Sequence, residues 1–122
     1  MDIVDIFRGL GFREEHAKIY KACLEWGETS ITNLAERAGI PRTTAYPFIE
    51  ELITKGVIKR SLKRGKKNYL PADPEFLKQL LQQKELEIQQ LSSELDKSMD
   101  SIKLFMKQGK NKPKLIFALL HK

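Results

Sequence analysis

Two neighbouring stretches hold the residues with the most chemistry to offer. "PRTTAY", residues 41–46, sets an arginine, two threonines and a tyrosine at what reads as a helix start. Arg42 can grip guanine O6 and N7 in a bidentate way, and Thr43 and Thr44 can meet a base edge or a thymine methyl. Tyr46 can reach a phosphate or prop the helix against the core. Just downstream, Lys55, Lys59, Arg60, Lys63, Arg64, Lys66 and Lys67 lie in a window, residues 52–72, that holds no Asp or Glu. The chain carries 22 Lys and Arg against 16 Asp and Glu, a net charge of +6. Seven of those cations are in this window, which leaves 15 against 16 elsewhere, so the whole excess is local. A positive field that concentrated suits a polyanion such as nucleic acid, although a solvated basic loop has the same composition.

The elements that must position these residues are readable from periodicity and punctuation. Residues 2–10 read as a short helix with Ile3, Ile6, Phe7 and Leu10 on one side. Residues 13–26 read as a second helix, with Glu14 and Glu15 in its first turn, where the helix dipole favours negative charge. Its expected apolar face is Ala17, Tyr20 and Leu24, widened by Ile19, Cys23 and Trp26, and Gly27 fits a left-handed cap. The next helix starts near Thr29 or Ser30, both good N-caps, and ends at Gly39. Thr29, Ser30 and Thr32 at that start can donate to phosphates. After "GIPRT" comes a further helix, closed by Gly56, whose core side is Ala45, Phe48 or Ile49, and Leu52.

Pro47 lies inside this last helix. Proline lacks an N–H and clashes with the carbonyl four residues back, so it is tolerated without cost only in the first turn. That favours a helix beginning near Thr44, with residues 41–44 as an extended or 3₁₀ lead-in and the amides of 44–46 free to point at a phosphate; a helix beginning at Arg42 is instead expected to kink.

Two short helices joined by a tight glycine-containing turn are the helix-turn-helix pattern. "VIKRSL" and "NYLPA" then read as strands around the polar turn "KRGKK". Three helices followed by such a hairpin make a winged helix. The hairpin cations Lys63, Arg64, Lys66 and Lys67 are expected on a nucleic-acid backbone or in the minor groove, where they supply affinity more than sequence reading. Lys59 and Arg60 alternate sides of a strand, so one of them is expected to face the polyanion.

Residues 75–107 contain no Gly or Pro, which predicts one long helix. With Leu81 at a heptad a position, the a positions are Leu81, Ile88, Leu95 and Ile102, and the d positions are Leu77, Lys84, Leu91, Ser98 and Phe105. This is a coiled-coil pattern with two polar layers. The expected dimerisation residues are Leu77, Leu81, Ile88, Leu91, Leu95, Ile102 and Phe105; one amphipathic helix folded back on the domain is the alternative. The expected organisation is a winged helix-turn-helix over residues 1–72, a coiled-coil helix over 73–107, and a linker with a short apolar tail, "LIFALL", over 108–122. The fold class is mainly α with a small β-hairpin wing and a long C-terminal dimerisation helix.

Catalytic residues, metal ligands and cofactors are not expected. His16 and His121 are far apart in sequence, neither has a nucleophile or metal partner nearby, and the single Cys23 cannot build a zinc site of normal spacing. The pairs Glu14–Glu15 and Glu50–Glu51 read as solvated or dipole-favoured surface charges. No apolar run is long enough to span a bilayer, and the start "MDIVDIFRGLGF" is not a secretory signal. No membrane partner is expected, and a reducing, cytoplasmic setting is.

The stretch "LGFREEHAKIYKACLEWGETSITNLAERAGIPRTTAYPFIEELITKGVIKR", with "NYLPADP" after it, resembles the amino-terminal domain of the TrmB-type transcriptional regulators. The resemblance covers roughly residues 9–107 and implies a winged-helix DNA-binding domain followed by a coiled-coil linker. Pro47 departs from the family's usual pattern, in which a polar residue follows the tyrosine. "KPKLIFALL" resembles only the first strand of the family's large effector-binding domain. A small-molecule effector is therefore not an expected partner, whereas double-stranded DNA and a second copy of the chain are. The expected function is sequence-specific DNA binding as a homodimeric transcriptional regulator. An architectural, nonspecific DNA-binding protein and a winged-helix protein-interaction module are the other readings the residues allow.

Overall fold

The computed structural model describes residues 1–108 of the 122, so the linker and apolar tail expected beyond Gln108 lie outside the described residues. In chain order the elements are α1 (Ile3–Gly9), α2 (Glu14–Trp26), α3 (Ile31–Ala38), α4 (Arg42–Thr54), β1 (Ile58–Lys63), β2 (Lys66–Pro71) and α5 (Glu75–Gln108). This is the winged helix-turn-helix with a long final helix that the sequence predicts.

Local chemistry sets most of the boundaries. Asp2 and Asp5 each accept the other's backbone amide and cap α1 at both ends of its first turn. The Ser30 hydroxyl accepts from the Asn33 amide at 3.3 Å and starts α3. The end of α3 is a Schellman turn, with Gly39 at φ 73° and the Ile40 amide bonded back to the Ala35 carbonyl at 3.0 Å. Gly56 ends α4 in the same way, and the Phe76 ring lies 3.3 Å from where a Cβ would stand there. Gly27 differs from the expected left-handed cap. Its φ of 75° is paired with a ψ of −134°, a region essentially reserved for glycine.

The core draws one or more side chains from each element of the winged unit: Phe7 from α1, Ile19 from α2, Leu34 from α3, Ile49 and Leu52 from α4, Ile58 from β1 and Tyr69 from β2. Leu77 and Leu80, at the start of α5, pack against this core. Two residues expected on the buried face of α2 are instead exposed, Leu24 and Trp26. They flank Cys23, which is fully buried, and the helix turns its Ala17, Ile19, Tyr20 and Cys23 side inward. Burial pushes the Cys23 thiol up to about 12 and raises Tyr20 as well.

The hairpin pairs β1 and β2 antiparallel, from Ile58 opposite Pro71 to Lys63 opposite Lys66. Arg64 (φ 53°) and Gly65 (φ 75°) both have positive φ, as a two-residue type I′ turn requires. Thr29 adds a third, single-residue rung: its amide and carbonyl exchange hydrogen bonds with Tyr69 at 2.9 and 2.8 Å. The loop between α2 and α3 is thereby tied to the wing.

Pro47 does not mark the first turn of its helix. α4 begins at Arg42, with Pro41 as N-cap and the Ala45 amide bonded to the Pro41 carbonyl at 2.9 Å. Pro47 is therefore the sixth residue, and the Thr43 carbonyl loses its usual donor. Thr43 and Pro47 are both exposed, so the lost bond lies on a face that water reaches. The amides left without intrahelical acceptors are those of 42–44, not 44–46.

Residues 1–84 form one compact unit, and α5 from Glu85 on belongs to a second. Along α5 no residue is buried. At about 1.5 Å per residue, a helix of this length reaches roughly 50 Å.

Candidate nucleic-acid interface

The N-terminal half of α4 exposes Arg42, Thr43, Thr44, Tyr46 and Pro47, while Ala45 and Ile49 turn to the core. The alternation follows from helical spacing: 45, 49 and 52 share the buried stripe, and 42, 46 and 50 lie one turn apart on an outer one. Neither a side-chain cap nor an acid occupies the first turn of α4, whereas α1 and α2 carry acids there and α3 has Ser30. The first amides of α4 therefore have no side-chain acceptor at the cap, and helix N-termini in general favour anions.

Two carboxylates of α4 tie this helix to neighbouring elements. Glu50, one turn after Tyr46, pairs with Arg60 of β1, and this bond is the largest cause raising the Arg60 guanidinium above its ordinary value. Arg60 thus joins the stripe of Arg42 and Tyr46, and Lys59, its neighbour in an extended strand, points to the opposite face. Glu51 accepts from His16, which is buried, at 2.8 Å. His16 Nδ1 accepts the Arg13 amide at 2.9 Å, so the ring proton sits on Nε2 and is donated to Glu51. Phe48 packs edge-on against the same ring, 4.7 Å between centroids. These pairs correct the expectation that Glu50 and Glu51 are merely solvated. The sequence carries no local signal for them, because the partners lie ten and 35 residues away.

The wing is anchored on its other face by Glu28, in the α2–α3 loop. Its carboxylate accepts from the Ser61 hydroxyl at 2.9 Å and pairs with Lys63 at 3.4 Å. Arg64, Lys66 and Lys67 are exposed at the tip and do not take part in the ion pairs found among the described residues. Lys63 stands directly opposite Lys66 in the hairpin register. Like charges so placed cost stability, and the Glu28 carboxylate beside Lys63 offsets part of that cost.

Two expected phosphate donors are otherwise engaged. The Thr29 hydroxyl is buried and accepts from the Asn33 side-chain amide at 2.8 Å, and the Ser30 hydroxyl is the α3 cap. Among the expected dimerisation residues, Leu81, Ile88, Leu91 and Leu95 are more than half exposed, at 51, 59, 67 and 54%. Ile102 and Phe105 are half-buried, and Leu77 belongs to the edge of the winged core. Among the described residues, no cluster of His, Cys, Asp or Glu is placed to hold a metal ion, and no helix is long and apolar enough to cross a membrane.

Solved structures with the same fold include that of TrmBL2, described as an archaeal chromatin protein with a novel mode of DNA binding. It matches 93% of this chain with a TM-score of 0.68 at 18% identity. The chain spans only 44% of that protein's length. A possible transcriptional regulator from Methanosarcina mazei Go1 matches 77% of this chain and 88% of its own, with a TM-score of 0.60 and 14% identity. The homodimeric winged helix-turn-helix DNA-binding domain of Mb0332 from Mycobacterium bovis matches 80% of this chain and 84% of its own, with a TM-score of 0.50 and 15% identity. No curated protein sequence matches the chain. The family model described as "Sugar-specific transcriptional regulator TrmB" matches residues 7–75, more than half of the sequence and the whole of the helix-turn-helix and wing, and the chain belongs to that family.

Proposed function

We propose that this protein is a homodimeric, sequence-specific regulator of transcription that binds double-stranded DNA, with α4 in the major groove and the wing on the backbone. The observation that carries the reading is the exposed Arg42–Thr43–Thr44–Tyr46 face at an uncapped helix start, beside a hairpin tip whose Arg64, Lys66 and Lys67 lack carboxylate partners among the described residues. Arg42 and the two threonines read base edges. Lys63, Arg64, Lys66 and Lys67 neutralise phosphates, and Arg60, held by Glu50, supports the α4 face. The exposed leucines and isoleucine of α5 pair with those of a second copy, so that two α4 helices meet an inverted or pseudo-inverted repeat.

Selection from a randomised duplex pool at near-physiological salt tests this reading. An enriched inverted repeat, with half-sites about one helical turn apart, is the expected result. Retention without enrichment would make the protein an architectural binder. No retention would leave the winged unit as a protein-interaction module.

A further inference from the structure

Tyr46 is half turned to solvent, 39% exposed, and its ring has a specific partner. Arg42 and Tyr46 are one turn apart on α4. Arg42 Nη2 donates to the Tyr46 hydroxyl at 3.2 Å, and the guanidinium carbon lies 5.8 Å from the centre of the Tyr46 ring. That distance is within the range over which an aromatic face attracts a cation. The two contacts act on one planar group, so together they define where the guanidinium lies and how it tilts. Arg42 needs such a hold. It is the first residue of α4, where the helix dipole disfavours a cation, and that turn offers no acid. A guanidinium carries five N–H donors in a rigid fork, so one bond to Tyr46 leaves enough for a bidentate grip on a base.

We infer that Tyr46 is a positioning residue for Arg42: it holds the guanidinium in the orientation that reads a guanine edge and so sets the base preference at one position of the site. The inference rests on the DNA-binding role proposed for α4. It differs from a phosphate contact by Tyr46, which would strengthen binding to every duplex alike.

The test uses the full chain and three duplexes: the one enriched from the pool, the same duplex with A·T replacing the G·C pair that Arg42→Ala ceases to discriminate, and a scrambled one. Tyr46→Phe removes only an exposed hydroxyl and keeps the ring; Tyr46→Leu removes both contacts. Tyr46→Leu is expected to reduce the preference for G·C over A·T by roughly tenfold, the size of one good base contact, and Tyr46→Phe by a smaller factor. Affinity for the scrambled duplex and its salt dependence stay unchanged, and neither substitution has a further effect in an Arg42→Ala background. Equal weakening on all three duplexes, or an undiminished effect without Arg42, overturns the inference while leaving DNA binding intact. A wild-type protein that enriches no duplex overturns both.

Discussion

The first 84 residues and the helix beyond them differ in what they leave exposed. In the winged unit, α2, α3, α4, β1 and β2 each bury at least one large side chain completely or nearly so, among them Ile19, Leu34, Leu52, Ile58 and Tyr69. Its polar groups reach across elements: His16 to Glu51, Arg60 to Glu50, Ser61 to Glu28. In α5 the apolar residues recur just as regularly, yet none is buried. The same hydrophobic periodicity therefore has two meanings. In α2 and α4 it describes a face already covered by the chain. In α5 it describes a face whose cover, in the proposed reading, is a second copy.

The contrast is most sharply broken by truncating each region in turn. Leu52→Ala empties a fully buried position and should cost about 2–5 kcal/mol of unfolding free energy, independent of protein concentration, in denaturant titrations. Leu91→Ala, on an exposed position of α5, should instead change stability only in a concentration-dependent way, as loss of a subunit contact does. A concentration-independent loss from Leu91→Ala would place its partner within the chain.

Neutralising Lys63, Arg64, Lys66 and Lys67 to Gln together should weaken binding to all duplexes by on the order of a hundredfold at moderate salt and flatten the salt dependence. Fluorescence anisotropy over a salt series measures both. Unchanged affinity would remove the wing from the interface.

Alkaline pH separates the regions through Cys23, which the winged core buries. Its ordinary value is 9.0 and burial pushes it up to about 12. The thiol is neutral in both states below pH 9, so its contribution is complete there. Above pH 9 the unfolded chain ionises and the folded one does not, and stability falls until the folded value is reached. The loss is about 2 kcal/mol by pH 10.5, and Cys23→Ala should flatten that part of the profile. An unchanged profile in the variant would show that the thiol is not shielded.

Ile88→Asp with Leu95→Asp should yield folded monomers that bind DNA roughly tenfold more weakly or worse, since one half-site contact is lost. Variants that remain dimers in sedimentation would move the pairing surface away from the heptad seam. The smallest effect belongs to Glu28→Gln, which removes the carboxylate that competes with phosphate for Lys63. The salt slope should steepen by about one unit; a shallower slope would mean that Glu28 chiefly orients the wing.

The sequence exposes the fold because most boundaries have a local cause. Gly39, Gly56 and Gly65 mark turns, Ser30 caps, and the apolar spacing changes from helical to alternating between Leu52 and Tyr69. The start of α4 is hidden by Pro47, whose local penalty argues for Thr44; burial of Ala45, Ile49 and Leu52 on one stripe, together with the exposure of Thr43 and Pro47, overrides it. Leu24 and Trp26 mislead for a related reason, since composition does not say how wide a buried stripe is. The composition of the basic surface is legible from residues 52–72, but its order is not. Glu28 and Glu50 select which cations are tethered, and these contacts join residues 35 and ten positions apart.

The central claim is that one chain completes the surface that reads DNA but needs a second chain to complete α5. Sedimentation equilibrium of the wild-type protein, alone and with its selected duplex, tests it most directly. The account predicts a dimer in free solution and two chains on each duplex. A monomer that binds the duplex one to one with undiminished affinity would contradict it.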